Sequence, residues 1–151
     1  AGWSGTGSGV VTSDQPMVGI VTESETDRGH SVVGNAIQVG DSTDTILFPK
    51  FDRTYYDYNG GIQVQNLGDQ PTTLVVTFSQ PGRDDVTVTS GTVGPGESTY
   101  WFSTSVPGLT EWFFGSVTVV SVNGQPIAGV YTSRNDVASG DSYSAYNGIK
   151  K

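Results

Sequence analysis

The stretch VVTSDQPMVGIVTES at residues 10–24 returns as VVSVNGQPIAGVYTS at 119–133, and this echo constrains the fold more than any other feature. Gln15-Pro16 and Gln125-Pro126 lie 110 positions apart, with Gly19 falling on Gly129 and Thr22 on Thr132. Further on, GHSVVGNAI (29–37) matches DSYSAYNGI (141–149), Asn35 falling on Asn147 and Ile37 on Ile149, an offset of 112. A period near 110 residues is the size of one immunoglobulin-like sandwich. Residues 1–40 therefore read as the back end of one unit, and 41–151 as a complete second unit. SVNGQP carries one residue more than TSDQP, so the two copies turn differently at that point.

The segments between the repeats support a chain of strands. Apolar or alternating runs at Val10–Thr12, Met17–Thr22, Thr45–Phe48, Ile62–Gln65, Thr73–Phe78, Asp85–Thr89, Ser98–Phe102, Ser116–Val122 and Ile127–Thr132 are separated by turn signals. NLGDQP (66–71), SQPGRD (79–84), VGPGES (93–98) and VNGQP (122–126) supply Gly for positive φ and Pro to fix φ. The expected class is all-β: an immunoglobulin-like antiparallel β-sandwich with an extra N-terminal strand segment that repeats the C-terminal strands. A hairpin of this length buries too few apolar side chains to offset the entropy of ordering it, so 1–40 must pair with another sheet. Its exposed edge is a template for strand addition, to the second unit, to a preceding unit missing from this chain, or to a neighbouring molecule.

YYDYNGGIQVQNLGDQPTTLVVTF (55–78), VGPGESTYWF (93–102), GSVTVVSVNGQPIAGVYT (115–132) and ASGDSYSAYNGI (138–149) carry a resemblance. Together they resemble the tandem extracellular β-sandwich repeats of large surface proteins from filamentous phototrophic bacteria, Chloroflexus-like organisms and their relatives. The likeness covers nearly all of 45–149 in order, and VTSDQP covers the preceding half-unit. It implies a secreted, non-catalytic surface or filament protein, and it supplies no catalytic residues.

GTGSG (5–9) lacks the Lys of a phosphate loop and runs toward a strand rather than a helix N-terminus, so it reads as a strand lead-in. The one imidazole, His30, sits in the ETDRGHSVV loop with Ser142 as its repeat partner, and is expected to be solvated. No G-x-S-x-G elbow surrounds a serine. One His and no Cys exclude an ordinary zinc site. The loops SETDRG (24–29), GDSTD (40–44) and RNDVASGDS (134–142) offer oxygen ligands without EF-hand spacing. The cofactor expectation is none, with calcium the one left open. Fifteen acids make chance carboxylate pairs inevitable, and Asp84-Asp85 and Glu97 fall at turns. A Lys-Asn staple would have to use Lys50, Lys150 or Lys151, and Lys50 is expected near a strand end beside Pro49.

Seven Lys and Arg against fifteen acids give a net charge of −8, which argues against nucleic acid and anionic membranes as partners. No apolar run approaches the roughly 20 residues of a membrane span. The initial Ala suggests a processed chain or an excerpt. The aromatics are the remaining candidates: in TYWF one of Tyr100 and Trp101 must face the core, and Tyr55, Tyr56 and Tyr58 cannot all face inward. The expected assembly surface is Val10, Val11, Met17, Ile20, Tyr55, Tyr56, Tyr58 and Trp112, serving contact between copies of the chain in a homo-oligomer or polymer. The expected function is a non-catalytic structural subunit of an extracellular filament or surface layer. The alternative is a carbohydrate-binding or adhesive module that uses Tyr56 and Trp112 on a surface glycan.

Overall fold

A computed structural model describes residues 7–25 and 29–151. Its strands are β1 (Ile20–Glu25), β2 (His30–Asn35), β3 (Thr45–Tyr55), β4 (Tyr58–Asn66), β5 (Thr72–Ser79) and β6 (Val86–Val93). They continue as β7 (Ser98–Phe102), β8 (Phe113–Ser121), β9 (Ile127–Asn135), β10 (Ser144–Asn147) and β11 (Ile149–Lys150). Among the described residues, two single turns of 3₁₀ helix, Val39–Asp41 and Ser103–Ser105, are the helical content. Among the described residues no helix is long and apolar enough to cross a membrane.

All pairings are antiparallel, and from β3 onward the ladder folds over on itself as a sandwich. One leaf runs β10-β9-β4-β7 and the other β11-β3-β8-β5-β6. Strand β4 spends both edges on β9 and β7, so β3 meets it only at Arg53↔Asn59 and Tyr55↔Tyr58, at the corner joining the leaves. The alternation of inward residues is direct: Thr72, Leu74, Val76 and Phe78 of β5 are buried, with Thr73, Val75 and Thr77 between them more open. Trp101 packs against the core while Tyr100 is exposed, as the alternation in TYWF requires.

Strand β3 departs from that period. Pro49 has no N–H to give the ladder, and the register with β8 shifts between Phe48 and Phe51. The bulge turns Phe48, Phe51 and Asp52 all inward. Tyr146 of β10 reaches across to this irregularity: its hydroxyl accepts from the Lys50 N–H (3.1 Å) and donates to the Lys50 carbonyl (2.5 Å). The NLGDQP loop is pinned by buried Asn66, whose side-chain amide donates to the carbonyls of Gln70 (2.8 Å) and Val93 (3.1 Å).

The N-terminal segment forms a separate two-stranded sheet, β1-β2. Its register, Ile20↔Asn35, Val21↔Gly34, Thr22↔Val33 and Glu23↔Val32, reproduces Val130↔Asn147, Tyr131↔Tyr146, Thr132↔Ala145 and Ser133↔Ser144 at the repeat offsets. The closing bond is copied as well: Ala36 N–H donates to the Gly19 carbonyl at 3.0 Å, and Gly148 N–H to the Gly129 carbonyl at 2.8 Å. The sequence echo is therefore an echo of backbone pairing. Three expectations need correcting. Val10–Thr12 is not a strand, and the strand read from Met17 begins only at Ile20, because among the described residues no strand pairs with them. Lys50 lies within β3, at its bulge, rather than at a strand end.

Candidate assembly surfaces

The eight expected surface residues fall into two regions. Val10, Val11, Met17 and Ile20 are exposed on the N-terminal segment, Ile20 on the hairpin itself. Tyr55, Tyr56 and Trp112 gather at the corner where β3 turns into β4. Tyr58 does not join them, its ring lying 5.4 Å from the Lys50 ammonium. The corner cluster also draws in Phe114.

The corner is built on unusual backbone. Tyr56 (φ 49°) and Asp57 (φ 64°) form a two-residue hairpin turn with both residues left-handed, the I′ geometry that suits the twist of paired strands but favours Asn-Gly. Thr54 (φ 47°) and Trp112 (φ 57°) share the left-handed region, and the Trp112 N–H donates to Thr54 Oγ1 at 3.2 Å. These four are the non-glycine residues with positive φ among those described. Such conformations cost on the order of 1 kcal/mol each and persist where surroundings hold them. Here the Asn135 side-chain amide donates to the Tyr56 carbonyl (2.9 Å), and the Thr54 N–H to Asn59 Oδ1 (3.1 Å). The rings of Tyr55 and Phe114 stack at 4.7 Å, and Tyr56 and Trp112 meet edge to face at 5.8 Å. Tyr56 remains 67% exposed, and Trp112 and Phe114 are exposed beside it. Asp57→Gly should relieve one left-handed position and stabilise the chain by about 0.5–1 kcal/mol, raising Tm by about 3 °C. Calorimetry checks this, and a lower Tm would contradict the backbone argument.

The hairpin lies on the outer side of the β9-β10 ladder through polar contacts. Arg134 Nη1 sits 3.3 Å from Glu25 Oε2, Tyr143 donates to Glu23, and the Asn147 amide donates to the Asn35 carbonyl (3.1 Å). The Ser31 N–H donates to Asp141 Oδ1 at 3.2 Å; this bond and that from the Tyr143 N–H hold the Asp141 carboxyl below its ordinary pKa. His30, expected to be solvated, is 4% exposed: pairing with Glu25 at the start of β2 turns its ring in beside Tyr143, with Nδ1 3.7 Å from Glu25 Oε2. The hairpin's other face is open, with Ile20 and Val33 exposed.

The contrast with the C-terminal copy is sharp. Val21 is 58% exposed, whereas Tyr131, its counterpart, is 0% exposed. Tyr131 donates to Asp52 Oδ2 at 2.5 Å, as does Ser133 at 2.9 Å, and the Lys50 ammonium approaches the same oxygen at 3.2 Å. The Asp52 carboxylate is 1% exposed and thus compensated by three donors. Lys50 is thus held beside a buried carboxylate of its own strand.

The tyrosines carry a pH signature. Burial, and then the hydrogen bond to Glu23, pushes Tyr143 up to about 12; burial, with the Asp52 charge adding to it, pushes Tyr146 up to about 12. Burial and the bond to Asp52 push Tyr131 higher still. Folded-state values raised above the unfolded value near 10 mean that the folded chain holds these protons longer. Their stabilisation is complete below about pH 10 and is lost as pH rises through 12. Phenolate absorbance should therefore show these three tyrosines ionising only as the chain unfolds in alkali. Their titration near pH 10 in a folded chain would contradict it.

Among the described residues no three acid or imidazole groups converge on a metal-sized site. SETDRG falls partly outside the described residues. In RNDVASGDS, Asp136 accepts from Arg134 and Asn59, and Asp141 from Ser31. A groove of about 320 Å³ is lined by Asn59, Tyr100, Phe102, Thr132, Ser133, Arg134 and Tyr143.

No family model and no curated protein matches the sequence. Among solved structures, the chain is similar to the crystal structure of Thermotoga maritima 1070, with a TM-score of 0.57 and 14% identity. The match covers 74% of this chain and 97% of the other. At that identity the likeness concerns the fold.

Proposed function

We propose that this chain is a non-catalytic structural unit of an extracellular filament or surface layer, joined to neighbouring β-sandwich units by strand pairing through its β1-β2 hairpin. The observation that carries the reading is the copied register: β1-β2 is paired as β9-β10 is, yet it lacks the β4 partner that β9 has. A strand built for the interior of a leaf but left with an open edge and exposed valines is suited to docking. Immunogold labelling of cells that make the protein should decorate regular fibres or a layer at the cell surface. Label confined to the cell interior would contradict it.

The aromatic corner supports a second reading, an adhesive or carbohydrate-binding module. Exposed Tyr56 and Trp112 rings held on fixed backbone offer stacking surfaces for sugar rings. Binding on a glycan array that is lost in both Trp112→Ala and Tyr56→Ala would favour it.

A further inference from the structure

The copied register states which residues the hairpin would bring into a sandwich. The face of β1-β2 that carries Val21, Glu23, Glu25, Val32 and Gly34 corresponds to the core-directed face of β9-β10, with Tyr131, Ser133, Asn135, Ser144 and Tyr146. Three of these differences bear on which sandwich it fits.

In a second copy of this chain, Glu23 would take the place of Ser133 and set its carboxylate against Asp52, two acids sharing the one Lys50 ammonium in a buried site. Val21 would stand where Tyr131 gives Asp52 a hydroxyl donor. Gly34 would stand where Tyr146 satisfies both the N–H and the carbonyl of Lys50 at the β3 bulge. Each change removes a donor, adds an acid or empties ring volume, so all three oppose pairing between identical copies. The hairpin's own side shows what its acids accept: here Glu25 meets the Arg134 guanidinium and Glu23 the Tyr143 hydroxyl.

Resting on the strand-pairing reading above, we infer that β1-β2 completes a sandwich of the same repeat class but of different sequence, one with a basic or hydrogen-bond-donating residue at the position of Asp52. The neighbour is thus an unlike unit, and the mismatch at Glu23 keeps identical chains from exchanging hairpins. Charge complementarity sets the order of units.

The test uses the full chain, unfolded and refolded at a concentration on the order of 1 mM, where hairpin exchange between molecules competes with closure within one. The wild type is compared by sedimentation velocity with the Val21→Tyr/Glu23→Ser/Gly34→Tyr variant, which restores the residues of the C-terminal copy. The variant is expected to form at least about tenfold more exchanged dimer than the wild type. Equal amounts of dimer in both would overturn the unlike-partner inference and leave strand pairing standing. No dimer in either would likewise overturn the unlike-partner inference, because relieving the three mismatches would then make pairing no easier, while strand pairing itself is read from amide exchange at β1 in the assembly. A second measurement needs no association: Ser133→Glu should lower Tm, and Ser133→Glu/Asp52→Asn should recover at least about half of the loss. Equal losses in the two backgrounds would show that Asp52 does not discriminate, and would overturn the inference.

Discussion

Tyr131→Val, which places the β1 residue in the β9 position, should cost about 4 kcal/mol. Tyr131 is wholly buried, with its ring 4.7 Å from that of Tyr146 and 6.0 Å from that of Phe51. Removing most of the ring leaves a cavity worth about 2–3 kcal/mol. Removing the hydroxyl leaves buried Asp52 short of a donor, which adds about 1–3 kcal/mol. Tyr131→Phe isolates the second part and should cost about 1–2 kcal/mol. Denaturant unfolding measures both through the midpoint at unchanged slope. If Tyr131→Val were as stable as the wild type, the core would accept either hairpin, and the distinction drawn between the two copies would fail.

Phe51→Ala should cost about 3–5 kcal/mol, whereas Phe114→Ala should cost less than about 1 kcal/mol. Phe51 touches ring neighbours contributed by three other strands: Phe78 of β5 at 5.0 Å, Phe113 of β8 at 6.3 Å and Tyr131 of β9. It faces inward only because the bulge after Pro49 resets the period of β3. Phe114 follows Phe113 on the same strand but points the other way, to the exposed corner. Two strand phenylalanines thus separate by several kcal/mol according to the face on which they lie. Comparable losses at both positions would mean that the corner rings are a structural cluster rather than an available surface.

What was legible in the sequence follows from what is local. Period-two alternation and Gly/Pro turns are local, and β4 through β9 fall where those signals place them, with Gly96 and Gly124 taking positive φ (75° and 73°). The echo across 110 residues coincides with matching register in β1-β2 and β9-β10, down to the bonds between Gly19 and Ala36 and between Gly129 and Gly148. Non-local features were not legible. Asp52 reads as an ordinary surface acid in KFDR, and only Tyr131 and Ser133, about eighty positions on, reveal it as the centre of a buried network. The Tyr56-Asp57 turn lacks the Asn-Gly signature of its geometry, since Asn135 and Asn59 hold the corner from distant strands. Pro49 was the one local sign of the bulge, and its meaning depends on finding β3 inside the sheet. His30 looked like a loop residue because the pairing of β2 with β1 supplies its burial.

The central claim is that the open edge of β1 is paired in the assembled protein. Amide hydrogen exchange read at Ile20–Glu25 tests it most directly, comparing the purified chain with material isolated as the intact surface assembly. The account predicts that β1 amides on the edge away from β2 exchange freely in the purified chain and are slowed by about 100-fold or more in the assembly. Unchanged exchange at those amides in intact assemblies would contradict it.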